Sequence, residues 1–232
     1  MERLPNGFTL ELAEGCFPLS TDSMVLAHFA SLPRKAHVLD LGSGCGTLGL
    51  LLCAKDPGCT VTGVELDETA HNAALENIRR NALGIRLESI CADLRQVPTL
   101  FAPGSFSCCI SNPPYFSGGP ASAVTPLARR EDCCSPEDLF RAAAQALRYG
   151  GDLYLVHKPE RLAQLIACGA RHNLEAKRLR LIHHKEGGPI TLILLQFRKG
   201  GKPGLIIDEH SLFDSHGCQT AYYREVYHFM EA

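Results

Sequence analysis

The sequence predicts a doubly wound α/β fold built on a mostly parallel sheet. Two observations carry that expectation. From residue 36 onward, short apolar β-rich runs alternate with segments of helical period, an order that implies parallel strands joined by right-handed crossovers. Late in the chain, two such runs flank Gly187-Gly188-Pro189, a connection too short for a crossover, so that last pair is antiparallel.

The elements follow in order. Residues 37–41 read as a buried strand, and the Leu-rich residues 47–54 as the helix after it. Residues 60–65 form a second strand. Asp67 caps the next helix, which carries Ala70, Ala73, Ala74 and Ile78 on one face and stops at Gly84. Residues 85–91 and 105–111 are the third and fourth strands. Ser135-Pro136-Glu137-Asp138 is a helix start, with a cap, a proline in the first turn and acids at the positive dipole end. That helix buries Leu139, Phe140, Ala143, Ala144 and Leu147 and stops at Gly150-Gly151. Residues 152–157 are the fifth strand. Pro159 opens a helix through Leu162, Leu165 and Ile166, and residues 177–184 and 190–198 form the closing pair. In the tail, Tyr222, Tyr223, Val226, Tyr227 and Met230 follow helical spacing and read as a core-packing stripe.

Composition limits the alternatives. The chain has 232 residues, 45% of them hydrophobic, enough for a real core and too apolar for global disorder. A net charge of -2 excludes a uniformly basic nucleic-acid coat but not a local patch. No apolar run reaches membrane-span length, and the first seven residues lack the apolar core of a secretion signal. The 11 cysteines include no C-x-x-C pair, so they read as reduced thiols serving as small hydrophobes, with neither disulfides nor a metal site expected. The adjacent His183 and His184 would point to opposite faces of a strand, which argues against joint ligation.

Ligands of such sheets bind beyond the carboxyl ends of the strands, and the motifs fall there. Asp40-Leu41-Gly42-Ser43-Gly44-Cys45-Gly46 follows the first strand. Its glycines let backbone approach a ligand that a Cβ would block. Because Gly44, Gly46 and Gly49 also fit a dinucleotide fingerprint, NAD and S-adenosylmethionine both stay open on this loop alone. Asp40 leans towards a cofactor with an ammonium group, since a carboxylate there would repel a pyrophosphate. Glu65, ending the second strand, can accept two ribose hydroxyls. Asp93, ending the third, can accept from an adenine amine, with Leu66 and Leu94 covering the ring faces.

The fourth strand runs into Asn112-Pro113-Pro114-Tyr115. Two prolines force an extended turn. The Asn112 side-chain oxygen and the Pro113 carbonyl then offer paired acceptors for a planar NH2 group, and Tyr115 offers a flat face for its ring. An amine conjugated to a purine is a poor nucleophile. Two acceptors on its hydrogens raise electron density at nitrogen and aim the lone pair, so Asn112 positions and polarises rather than acting as a base.

With these residues in hand, the chain resembles class I S-adenosylmethionine-dependent methyltransferases that carry the Asn-Pro-Pro-Tyr motif. More closely, it resembles the bacterial family that N6-methylates the adenosine beside the anticodon of valine tRNA. The likeness includes Asn6-Gly7-Phe8, Ser20-Thr21-Asp22, the loop at 40–46, Val64-Glu65-Leu66, Asp93, 112–115, Ala128-Arg129-Arg130-Glu131, the block at 156–161, the block at 200–205 and the aromatic tail. Asp132-Cys133-Cys134 departs from it. The resemblance implies a Rossmann-like class I methyltransferase fold with a seven-stranded, mostly parallel sheet and an antiparallel last strand. It implies S-adenosyl-L-methionine as cofactor, held by Asp40, Gly42, Ser43, Gly44, Gly46, Glu65, Leu66, Asp93, Leu94 and Asn112, with S-adenosyl-L-homocysteine as product. It implies Asn112, Pro113 and Tyr115 as the catalytic set and tRNA as substrate, while the cysteine usage and the lack of ligand spacing or a membrane-length run give the expectation of a cytoplasmic protein with no metal and no membrane partner. The residues leave oligomeric state open, with a monomer as the default. Residues 1–35 are expected as an N-terminal extension over the cofactor site, 36–200 as the methyltransferase domain and 201–232 as a tail packed on it.

Charge is uneven. Residues 1–70 hold 4 Lys/Arg against 9 Asp/Glu, whereas residues 158–202 hold 10 against 3. The second set, led by Arg171, Lys177, Arg178, Arg180, Lys185, Arg198, Lys199 and Lys202, would place a phosphate-binding end beside the site. Residues 116–134 read as a lid-like loop. Methylation of a guanine amine in rRNA, methylation of a protein glutamine amide and a non-catalytic binding module remain the competing readings.

Overall fold

The computed structural model describes residues 2–4, 7–13, 19–113 and 134–228. In chain order the elements are β1 (Glu2–Arg3), β2 (Thr9–Leu10), α1 (Thr21–Phe29), β3 (His37–Leu41), α2 (Thr47–Lys55), β4 (Thr60–Glu65), α3 (Glu68–Arg80), β5 (Leu87–Cys91), α4 (Val97–Leu100), β6 (Phe106–Ser111), α5 (Pro136–Ala146), β7 (Leu147–His157), α6 (Leu162–Arg171), β8 (Leu174–Lys185), β9 (Ile190–Lys199), β10 (Ile206–Phe213) and α7 (Ala221–His228). The main sheet has the order β5-β4-β3-β6-β7-β9-β8-β10. β9 is antiparallel to both neighbours, and every other pair in this sheet is parallel.

The seven expected strands and the antiparallel partner are therefore present. An eighth strand, β10, is added from the region read as a tail. Its signal is weak because it is an edge strand: Ile206 and Ile207 stay 66% and 60% exposed, so its apolar residues do not alternate. A bidentate pair between Arg180 on β8 and Asp208 on β10 joins the two strands.

Alternation along each strand sends side chains to two apolar layers. Val38, Cys108, Ile110, Tyr154, Val156 and Leu194 face the layer under α1, α2 and α7. Leu39, Leu41, Cys109, Leu153, Leu155, Ile193 and Phe197 face the layer under α5 and α6. The neighbouring cysteines 108 and 109 thus serve different cores. Nine cysteines lie within the described residues; all are free thiols, and seven are buried.

Several elements differ from the expected ones. α3 ends at Arg80, because Asn81 turns its amide onto the Asn77 carbonyl and Ala82 takes a left-handed φ of 53°, so Gly84 is not the stop. β7 begins at Leu147 and runs straight through Gly150-Gly151. A Cβ at Gly151 would come within 2.9 Å of the Ser107 carbonyl, so glycine here permits strand packing beside an irregular register. α1 was absent from the expected elements. Ser23, Met24, Val25, Leu26, Ala27 and Phe29 are all buried, so the helix shows no amphipathic stripe to read.

The 9–11 segment is held by Asn77 of α3 and by Asn81, its C-cap. Asn77, fully buried, accepts from the Glu11 amide at 2.7 Å and donates to the Glu11 and Cys45 carbonyls at 2.8 and 2.9 Å. Asn81 makes the matching pair with Thr9. Removing the Asn77 amide leaves several buried main-chain groups without partners. Asn77→Leu is expected to lower the unfolding free energy by about 2–4 kcal/mol, read from the urea midpoint.

Candidate active site

The carboxyl ends of β5, β4, β3, β6 and β7 line up in that order, so the residues that follow them form a row. Asp93 and Leu94 lie after β5, Glu65 and Leu66 at the end of β4, the 40–46 loop at β3, Asn112 and Pro113 after β6, and His157 at the end of β7. Three strand spacings of about 4.8 Å separate the Asp93 end from the Asn112 end, about 14 Å in all. That span suits an extended nucleoside with a further flat ring at one end.

The glycine loop is shaped by hydrogen bonds to the next strand. The amides of Gly42 and Ser43 donate to the Val64 carbonyl at 2.9 and 3.1 Å. The Gly44 amide donates to Glu65 Oε2 at 2.7 Å, while Glu65 Oε1 accepts from the Asp67 amide at 2.8 Å. Gly42, Gly44 and Gly46 have φ of 76°, 54° and 83°, conformations that L side chains rarely adopt. Gly63 supplies room: a Cβ there would meet Ser43 Oγ at 2.6 Å. Glu65 is thus a loop-shaping group as well as a candidate ribose acceptor.

Asp40 is the electrostatic anomaly. It is 1% exposed, and neither carboxylate oxygen has a hydrogen-bond partner; Ser43 Oγ beside the loop has none either. Burial, with the Glu65 charge adding to it, pushes the Asp40 carboxyl up to about 8. An unsatisfied buried carboxyl beside a left-handed glycine loop is what a cationic ligand group would relieve.

Asp93 is more occupied than expected. It caps the turn at Leu94–Gln96 in a reciprocal box with Gln96, and the Arg95 guanidinium grips both carboxylate oxygens. Arg95 holds its carboxyl below the usual range. An adenine amine would share this carboxylate with Arg95. Leu66 is 48% exposed, free to lie along a ring.

At the other end of the row, Ser111 Oγ donates to the Leu41 carbonyl at 2.7 Å and locks β6 against the end of β3. Asn112 follows at once. Its Nδ2 donates to Ser23 Oγ of α1 at 3.1 Å. Neither Ser23 nor Asn77 was among the expected site residues. Ser23 leaves no pattern in the sequence, whereas Asn77 could have been found as a polar residue on the apolar face of α3. His157 Nδ1 accepts from the Lys158 amide at 2.8 Å, and burial lowers its imidazole to about 4. Tyr115, Arg129, Arg130 and nearly all of the 116–134 loop lie outside the described residues.

The basic set does not form one end beside this row. Arg171 pairs with Glu137, Arg180 with Asp208 and Arg198 with Asp152, which neutralises three of its members. Arg198, Lys199 and Lys202 sit where β9 ends and β7 begins, opposite the candidate site. Lys158, Arg161 and Lys185 lie at the site end. Among the described residues there is no group of three potential metal ligands and no helix long and apolar enough to cross a membrane.

Comparison with known proteins fits this geometry. Residues 20–167 match the profile of the methyltransferase small domain. The chain belongs to that family. Among relatives of this methyltransferase, a tRNA1(Val) (adenine(37)-N6)-methyltransferase of Photobacterium profundum is 27% identical over 187 residues, 78% of each chain. One of the same name from Bacteroides fragilis is 28% identical and covers 82% of this chain and 81% of its own. Another from Shewanella halifaxensis is 33% identical, covering 68% and 64%. Among solved structures, a predicted O-methyltransferase, Atu636 from Agrobacterium tumefaciens, superposes with a TM-score of 0.76 at 23% identity, over 90% of this chain and 97% of that one. At that identity it supports the fold.

The Asp40 carboxyl makes stability depend on pH. Its folded value lies above the ordinary aspartate value of 3.8, so the folded state retains a proton that the unfolded chain releases. Stability from this group is therefore full near pH 4, falls as pH rises, and levels off above about 8. Asp40→Asn should remove that slope. Its urea midpoint should match wild type near pH 4 and exceed it increasingly up to about pH 8.

Proposed function

We propose that this methyltransferase transfers a methyl group from S-adenosylmethionine to N6 of an adenosine in tRNA, beside the anticodon of valine tRNA. The observation that carries the reading is the row itself: a buried acid and glycine loop at β3, flanked by an acid at β4 and by Asn112 at β6. The names of the relatives supply the substrate class.

The residues fit the cofactor. Asp40 would take its ammonium, which relieves the orphaned carboxyl. The backbone of Gly42, Ser43, Gly44 and Gly46 would pass its methionine part, and Glu65 would take the ribose hydroxyls. Asp93, Leu66 and Leu94 would hold its adenine, with Asn112 closing the methyl end. When bound, it supplies an electrophilic methyl carbon. Asn112 Oδ1 and the Pro113 carbonyl accept the two N–H bonds of the target amine, so its lone pair faces that carbon. Tyr115 stacks on the target ring. The amine needs no base before attack, and its proton leaves afterwards. Residues 1–35 and 201–232 act as flanking parts of one catalytic unit around 36–200, with the 9–13 segment linked to Cys45 of the cofactor loop by the Ala13 amide and through Asn77. A cytoplasmic setting follows from tRNA as substrate, and a single chain contains every proposed role.

The test is incubation with methyl-labelled cofactor and unmodified total tRNA, followed by digestion to nucleosides. Label is expected in N6-methyladenosine; label in another nucleoside or in protein glutamine would reject the assignment. Glu65→Ala should weaken S-adenosylhomocysteine binding while Tyr115→Ala leaves it within about twofold. Tyr115→Ala should instead raise KM for RNA, by the equivalent of about 1–3 kcal/mol of lost stacking.

The charge map gives a second expectation. Lys185→Glu, at the site end, should weaken RNA binding and reduce the salt dependence of log K by about one phosphate contact. Lys202→Glu, at the far end, should leave that slope unchanged. Binding measured across a salt series separates the two.

A further inference from the structure

We propose that Ser23 is a positioning residue for Asn112, fixing which face of the Asn112 amide meets the target amine. The inference rests on the role given to Asn112 above and goes beyond it. An asparagine amide has a donor side and an acceptor side of nearly the same shape. Rotating it by half a turn would present Nδ2–H2 to the target NH2, donor against donor. Holding an amine by its hydrogens requires the oxygen to face it. Something else must hold the nitrogen.

Ser23 does so. It lies in the first turn of α1 and is 7% exposed. Its Oγ stands 3.1 Å from Asn112 Nδ2, across 89 residues of sequence. The Ser20 hydroxyl also donates towards Ser23 Oγ, at 3.5 Å. With Ser23 Oγ accepting from Nδ2, the nitrogen side of Asn112 is turned towards α1. Oδ1 is left for the substrate.

The position of Ser23 is itself secured. Ser20 caps α1 by accepting the Ser23 amide at 3.3 Å. Thr21 Oγ1 and Tyr227 OH of α7 are 2.9 Å apart and hydrogen bond. The Ser20-Thr21-Asp22 block and the aromatic tail, distant in sequence, thus meet at one brace behind Asn112.

The test combines kinetics with a spectroscopic readout. Ser23→Ala places the best helix former in a helix, so folding should survive; the thermal midpoint verifies this. The expected result is a fall in kcat of about five- to tenfold on the tRNA pool, the worth of one buried hydrogen bond, with S-adenosylhomocysteine affinity within about twofold of wild type. Ser23→Thr, which keeps the hydroxyl, should restore kcat. Once Asn112 is Ala, adding Ser23→Ala should change nothing more. In 15N spectra the Asn112 side-chain amide, assigned by its loss in Asn112→Ala, should exchange with solvent faster in Ser23→Ala than in wild type. Unchanged amide exchange overturns the proposal, and so does an unchanged kcat in an active enzyme. If wild type methylates no RNA, the substrate reading fails by itself, and the amide exchange still decides the brace.

Discussion

The Glu65 carboxylate is the interaction on which the candidate site depends. Its two oxygens accept two main-chain N–H groups, one from Gly44 in the loop after β3 and one from Asp67 at the cap of α3. A carboxylate shared in this way ties the ends of adjacent strands into one surface, and charge-assisted bonds to backbone amides are among the stronger ones available. With the Gly44 amide committed, the loop must turn through left-handed conformations, which only glycine adopts at little cost. That turn leaves the Asp40 carboxyl enclosed and unpartnered. Loop shape and loop charge therefore have one origin.

The far end of the row is built differently. Ser111 and Ser23, two small hydroxyl residues, hold β6 and Asn112 in place through neutral hydrogen bonds. The bonds that shape the cofactor side are made to a carboxylate, and those that hold Ser111 and Asn112 are between neutral groups. This division suits a reaction in which positive charge disperses and the nucleophile is an uncharged amine.

Much of the fold was legible because parallel strands buried on both faces read as dense apolar runs, as residues 37–41 and 152–157 do. The glycine loop and its acids were legible because they sit at strand ends, where topology alone predicts ligands. What escaped had physical reasons. β10 is half exposed, and α1 is buried on nearly every side, so neither shows a period. The basic set misled because composition counts charges without their partners: Arg171, Arg180 and Arg198 are consumed by acids that lie far away in sequence. Ser23 was invisible for the same reason, since its partner is 89 residues away.

The bond between Thr21 and Tyr227 has a consequence for how the protein comes into being on the ribosome. The helix behind Asn112 emerges early relative to its anchor, which follows 206 residues later. A nascent chain can assemble β3, β4 and the glycine loop early, but the brace behind Asn112 closes only when α7 docks. The substrate end is therefore tied by a contact of very long sequence separation, whereas the cofactor loop is tied by contacts between successive elements.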